Sequence, residues 1–191
     1  MSKNNRFVKQ FIYPSIFIFL AFTIDVREKE KETEEEKVKW YSIQEALELH
    51  KENPKKIFID IYTDWCGWCK KMDATTFSNP VIAEYLNTYF YPVKFNAESK
   101  ESLTIGDKTF VNKGEGSRPT HEFAIALLNG QMSYPAFAFL DENLKPLISP
   151  LKGYQSAYNV EPILYYLGNE IYKEKKYPEF VNDYERRVKN N

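Results

Sequence analysis

A single α/β domain, with a mixed sheet covered by helices on both faces, is the fold class predicted by this 191-residue chain. Three observations carry that expectation. Lys56-Ile57-Phe58-Ile59-Asp60-Ile61-Tyr62 is a nearly continuous apolar run, the pattern of a central strand buried on both sides. Segments of helical period alternate with runs of that kind. The overall order is strand, helix, strand, then helix, strand, strand, helix.

The N-terminal region stands apart from that domain. Lys3, Arg6 and Lys9 precede the apolar stretch Phe11 to Ile24, which Asp25 ends. A basic start and an apolar core are the parts of a secretory signal. The stretch falls short of the ~20 apolar residues that a spanning helix needs. Ala21 and Thr23 make a weak small-x-small cleavage match. Residues 1–25 therefore read as a signal peptide or as an uncleaved membrane anchor. Arg27 to Lys37 holds no apolar side chain and cannot bury surface, so residues 26–37 read as a charged linker. Residues 38–191 remain, about 150, a size that suits one domain.

Within the domain, Val38 to Tyr41 is a candidate first strand. Ser42-Ile43-Gln44-Glu45 has the spacing of a capping box and opens a helix with Ile43, Ala46, Leu47 and His50 on one face. Asn53-Pro54 stops it, and the run Lys56 to Tyr62 follows. A helix starts at Cys66 and Cys69 and kinks or restarts at Ser78-Asn79-Pro80, where proline suits a first turn. Phe90 to Asn96 is a third strand. Residues 97–118 are polar and glycine-bearing, with a small hairpin expected around Gly106-Asp107. Thr120 to Asn129 reads as a helix ended by Gly130. Tyr134 to Leu140 is a strand with proline at its start, and Pro146 to Leu151 is another strand candidate. Val160 to Tyr172 and the charged segment Pro178 to Val188 close the chain as helices.

Composition narrows the function. A net charge of −1, with 28 Tyr and Phe residues spread along the chain rather than interleaved with basic ones, argues against nucleic acid as a partner. Cys66 and Cys69 are the only cysteines, so no disulfide framework joins distant segments. Their two-residue gap puts both sulfurs at one helix N-terminus, where N–H groups and the helix dipole favour a thiolate. A thiolate answered by a second nearby thiol is the minimal apparatus for thiol–disulfide exchange. Zinc is the other use of such a pair, but it needs four ligands and the chain offers only His50 and His121, far from the pair on either side. No metal and no separate cofactor is expected beyond a redox-active Cys66–Cys69 disulfide.

Taken together, the Trp65-Cys66-Gly67-Trp68-Cys69-Lys70 segment between a strand and a helix, and the proline-led strand at Tyr134-Pro135, resemble thioredoxin over residues 38–172. The wording Asp64-Trp65-Cys66-Gly67-Trp68-Cys69-Lys70-Lys71-Met72, followed by Thr76-Phe77-Ser78-Asn79-Pro80, is similar to the thioredoxin-like domains of exported and membrane-tethered thiol–disulfide reductases. The resemblance implies a thioredoxin-like fold with an insertion at 97–118, between the third strand and the following helix, and a C-terminal helical extension. Asp60 then stands where thioredoxins carry a buried carboxylate, Lys94 at the lysine near it, Pro135 at the cis-proline facing the cysteines, and Gly153 at a late-strand glycine. Gly67-Trp68 replaces Gly-Pro between the cysteines, and Tyr134 replaces a smaller residue.

The implied chemistry assigns Cys66 as the exposed attacking thiolate and Cys69, deeper by one turn, as the resolving thiol. Asp60 would exchange the proton of Cys69, tuned by Lys94. The alternative for Asp60 is a structural turn or edge carboxylate, but a lone acid inside Ile-Phe-Ile-Asp-Ile is expensive unless used. Trp65, Gly67, Trp68, Tyr134 and Pro135 form the expected substrate-facing rim, with core packing the alternative for one of the tryptophans. Lys70 and Lys71 are a solvated face or a thiolate-tuning pair. The expected activity is reduction of a disulfide-bearing protein substrate by an exported, periplasmic or membrane-tethered protein fed by a membrane or soluble thiol donor. The alternatives are an oxidase or isomerase on the same scaffold, or a non-catalytic client-binding module.

Overall fold

The computed structural model describes residues 36–114 and 116–189. The leader expected at 1–25, and all but the last two residues of the linker expected at 26–37, lie outside the described residues.

The central strand forms where the apolar run predicts it, as β1 (Lys56–Tyr62). It pairs in parallel with β2 (Phe90–Asn96) and antiparallel with β5 (Ala136–Leu140). A short β6 (Leu151–Lys152) extends the far edge, giving the order β2-β1-β5-β6. The hairpin expected in the 97–118 insertion is present as β3 (Leu103–Ile105) and β4 (Lys108–Phe110), with Gly106 supplying the positive φ of the turn.

Alternation along the strands divides the core in two. Ile57, Ile59, Ile61, Val93, Phe95, Ala136 and Ala138 face one layer. That layer contains α1 (Ile43–Glu52), the β3–β4 hairpin and α4 (Glu122–Leu127). Phe58, Phe90, Phe137 and Phe139 face the other. There they meet Met72 of α2 (Gly67–Thr75), α3 (Pro80–Tyr89), α5 (Ala157–Gly168) and α6 (Tyr177–Asp183). Asp60 and Lys94 occupy positions in phase with Phe58 and Phe90, so both belong to the layer that contains the cysteine helix.

The helix ends have local causes. Both halves of the Ser42–Glu45 capping box are made, and Asn79 caps α3 through the N–H groups of Val81 and Ile82, ahead of Pro80. The chain therefore restarts at Asn79 rather than kinking. Some boundaries differ from the sequence pattern. Val38 to Tyr41 makes only an isolated bridge, Tyr41 to Val93. Pro146 likewise makes a single bridge to Leu140, and pairing resumes only at Leu151. α4 is shorter than 120–129 because His121 is its N-cap, and the His121 N–H is spent on the Ala97 carbonyl at 2.7 Å. α5 starts at Ala157 on a Ser156 cap and ends at Gly168, with Ile171–Lys173 as a separate 3-10 turn. α6 ends at Asp183 because the N–H groups of Arg187 and Val188 turn instead to the buried Glu161 carboxylate, at 2.6 and 2.9 Å.

Candidate active site

Strand β1 delivers the chain to the start of α2, and Cys66 is the N-cap of that helix. Its sulfur accepts the Cys69 N–H at 3.1 Å, while its own N–H donates to the Thr63 carbonyl at 3.1 Å. Cys66 and Cys69 are joined as a disulfide, Cα to Cα 5.3 Å. The expected contrast between an exposed Cys66 and a buried Cys69 is absent: the two are 5% and 4% exposed. The disulfide bond turns the Cys66 sulfur back onto the helix turn that holds Cys69, which covers both. Trp65 and Trp68 stand out instead, 49% and 57% exposed, so neither packs in the core.

Asp60 is 2% exposed. One of its oxygens meets the Lys94 ammonium at 3.3 Å, and the other has no hydrogen-bond partner. Burial is the main force on its carboxyl, pushing the pKa up to about 7; Lys94 opposes that rise and Asp73 adds to it. Asp60 and Lys94 are direct cross-strand partners in the parallel β1–β2 register. The Lys94 ammonium also binds Asp73 of α2 at 2.5 Å and lies over the rings of Trp40 and Tyr62, at 5.2 and 5.1 Å. Burial pulls the Lys94 pKa down, but Asp60 and Asp73 outweigh it and hold the ammonium charged. Asp73 lies one turn beyond Cys69 on the same helix. The path from the cysteine helix to the buried carboxylate therefore runs Asp73, Lys94, Asp60.

The rim is built by residues from several elements. The Tyr134–Pro135 peptide is cis, and the Pro135 carbonyl accepts the Gly153 N–H at 2.8 Å, with Gly153 at φ +80° just after β6. Tyr134 sits edge-on to Trp65, ring centroids 6.1 Å apart. The Trp65 indole N–H donates to Glu98 at 3.0 Å, and the Arg118 guanidinium lies 4.2 Å over its ring. Trp68 packs against Tyr154, and the Lys71 ammonium lies over both rings, at 5.0 and 5.6 Å. Gly67, exposed between the cysteines, has open space where a side chain would be.

Neither histidine joins this site. His50 is placed between the carbonyls of Lys55 and Glu142. His121 is fully buried: one ring nitrogen accepts the Phe123 N–H and the other meets the Glu101 carbonyl. Among the described residues no cluster of three or more His, Cys, Asp or Glu side chains is arranged to hold a metal ion. Asp73, Glu98, Arg118 and Tyr154 are site residues that the linear pattern does not mark. Only Glu98, four residues beyond Lys94 on the strand exit, carries a positional hint.

Comparison with known proteins agrees with this geometry. Residues 30–162 match the family Thioredox_DsbH, described as a protein of unknown function, DUF255. The uncharacterized protein B0495.5 of Caenorhabditis elegans is 29% identical over 111 residues, which are 58% of this chain and 13% of that protein. The thiol:disulfide interchange protein DsbD of Vibrio vulnificus is 36% identical over 47 residues, 25% of this chain and 8% of that protein. The chain thus matches only a small part of the length of these relatives. A thioredoxin from Thermus thermophilus superposes with a TM-score of 0.50 and 16% identity, covering 68% of this chain and 86% of that one. The fold is thioredoxin-like.

Proposed function

The chain belongs to the Thioredox_DsbH family, and on that premise we propose that it is a thiol–disulfide oxidoreductase working in the reducing direction. The observation that carries this reading is the pairing of a Cys66–Cys69 disulfide at a helix N-terminus with a buried carboxyl, Asp60, whose pKa lies near neutrality. In the reduced protein, the Cys66 thiolate attacks one sulfur of a client disulfide. A mixed disulfide forms and the client's other sulfur leaves as a thiolate. Cys69 gives its proton to Asp60 and attacks the Cys66 sulfur. The mixed disulfide breaks, the second client sulfur leaves as a thiolate, and the Cys66–Cys69 bond forms. The client gains two electrons and the cysteine pair loses two. A dithiol donor then restores the pair.

Charge near the cysteine helix is what supports the reducing direction. Two carboxylates, Asp60 and Asp73, face one ammonium, Lys94, in the layer that holds the cysteine helix. Negative charge from these carboxylates disfavours the Cys66 thiolate and so favours the reducing direction, while Lys70 and Lys71 on the same helix act the other way, so the measured potential decides between them. Trp65, Gly67, Trp68, Tyr134 and Pro135 are assigned to client contact. Residues 1–25 are read as a signal or membrane anchor and 26–37 as a spacer; on that reading the domain works outside the cytoplasm, with a membrane or soluble thiol protein as the donor. Among the described residues no helix is long and apolar enough to cross a membrane.

Cys69→Ser tests the scheme. With attack intact and resolution blocked, this variant is expected to accumulate a mixed disulfide through Cys66 with a disulfide-bearing peptide, visible by mass. Cys66→Ser is expected to form none. Equal trapping by both variants would sink the assignment. A redox potential for the native pair near −270 mV supports the reducing direction, and one near −120 mV reverses it.

A further inference from the structure

The 97–118 insertion reaches the rim of the cysteine pair. Its two ends are pinned together: the Asn112 amide donates to the carbonyls of Glu98, Ser99 and Pro119 at 3.2, 3.0 and 2.8 Å. The His121 N–H closes onto the Ala97 carbonyl, and its ring meets the Glu101 carbonyl at 2.9 Å. This base carries Arg118, whose guanidinium lies over the ring of Trp65, the residue adjoining Cys66. Trp65 is itself fixed on two more sides, by Glu98 and by Tyr134. On the other side of the disulfide, Lys71 lies over Trp68 and Tyr154 in the same manner.

The carboxylates and the cations at this rim are held differently. Its carboxylates are engaged: Glu98 with the Trp65 indole, Asp64 with the Asn96 amide, Asp73 with Lys94. Its cations are not. Among the described residues no ion pair or side-chain hydrogen bond takes up the exposed Arg118, Lys70 or Lys71, whose charged ends touch only aromatic faces or solvent. A guanidinium that contacts only a ring face keeps its N–H groups free to donate to a carboxylate. Rings and a guanidinium that are already immobilised lose little freedom when a client docks.

We infer that the rim selects disulfides flanked by acidic residues, with Arg118 as a specificity-determining residue supplied by the insertion and Lys70 and Lys71 completing the cationic collar. This rests on the oxidoreductase reading and adds the class of client. Trp65 and Trp68 receive the apolar part of the client segment, and the three cations receive carboxylates within a few residues of its cysteine. The chain as a whole has a net charge of −1, so any preference for acidic clients is local to this face.

The test uses the reduced full-length chain and three oxidised probes: hydroxyethyl disulfide, which is neutral, and two disulfide-bridged peptides that differ only in carrying aspartates or lysines beside the cysteines. The native protein is expected to reduce the aspartate peptide about tenfold faster than the lysine peptide at low salt, with the ratio shrinking in 0.5 M salt. Arg118→Glu is expected to lower that ratio at least threefold more than Lys51→Glu, which changes the net charge equally but lies on α1, outside the rim. Arg118→Ala should move it the same way by less. Equal rates for the two peptides, or equal effects of the two charge reversals, would overturn the inference while leaving the enzyme reading intact. No reduction of any probe, the neutral one included, would remove the oxidoreductase reading and this inference with it.

Discussion

Ionised Asp60 is a burden on the folded chain, because burial makes its proton hard to remove. The unfolded carboxyl titrates near 3.8 and the folded one near 7, so between those values the folded state binds more protons. Stability contributed by this group is therefore greatest at acid pH, falls as pH rises from about 4 to about 7, and stays low above that. Asp60→Asn is expected to stabilise the oxidised protein by roughly 2–4 kcal/mol at pH 8 and by almost nothing at pH 4. Urea unfolding at the two pH values measures this, and a gain of the same size at both would assign the effect to packing instead. Asp60 is legible in the sequence because a carboxylate interrupts an otherwise apolar strand. Lys94 is legible only through the family resemblance, and Asp73 not at all. One more polar residue after Lys70 and Lys71 looks like solvated helix surface until the tertiary fold sets it against Lys94. The same holds for Arg118, whose position depends on Asn112 closing a loop.

Capping and punctuation made β1, β2, α1, α3 and the insertion hairpin readable, since each is bounded by a local signal such as Ser42, Asn79-Pro80 or Gly106. Elements whose ends are decided by distant partners are not: α6 stops where the Arg187 and Val188 N–H groups turn to Glu161 of α5. α5 itself depends on a distant donor. Pro162 inside it has no N–H to give the Tyr158 carbonyl, and Arg186 supplies the missing donor at 3.2 Å from outside the helix. α5 also packs closely on α3. A Cβ at Gly168 would fall 2.5 to 2.8 Å from the Cγ, Cδ2 and Cβ atoms of Tyr89, the root of that side chain, which cannot swing away. Gly168→Ala is expected to cost about 1–3 kcal/mol through overpacking, although alanine is the better helix former. Thermal unfolding checks the sign, and a stabilised variant would show that the two helices part without cost.

At the scale of the whole molecule, the segment after α6 completes the domain. Glu161 is fully buried, and its carboxylate accepts the N–H groups of Arg187 and Val188 and the Tyr184 hydroxyl. Arg187 also makes a two-bond contact with Glu84 of α3. Ending the chain after Asp183 leaves that carboxylate without donors and is expected to destabilise the protein by roughly 3–5 kcal/mol. Adding Glu161→Met to the shortened chain should restore part of the loss, because the unpaired charge is then gone. If equilibrium unfolding shows no loss on shortening, the segment is peripheral. The sequence does not reveal this clamp, since one glutamate in a helix reads as surface and its donors arrive more than twenty residues later. The Asp60–Lys94 register has a further consequence for assembly of the sheet. The interiors of β1 and β2 are otherwise mostly apolar and specify their alignment weakly. A slip of two residues keeps every side chain in its own layer, yet it sets Asp60 against Pro92 or Asn96 and strands the carboxylate without its cation. The group assigned to handle a proton thus also selects one alignment of the two strands once the helical layer covers them.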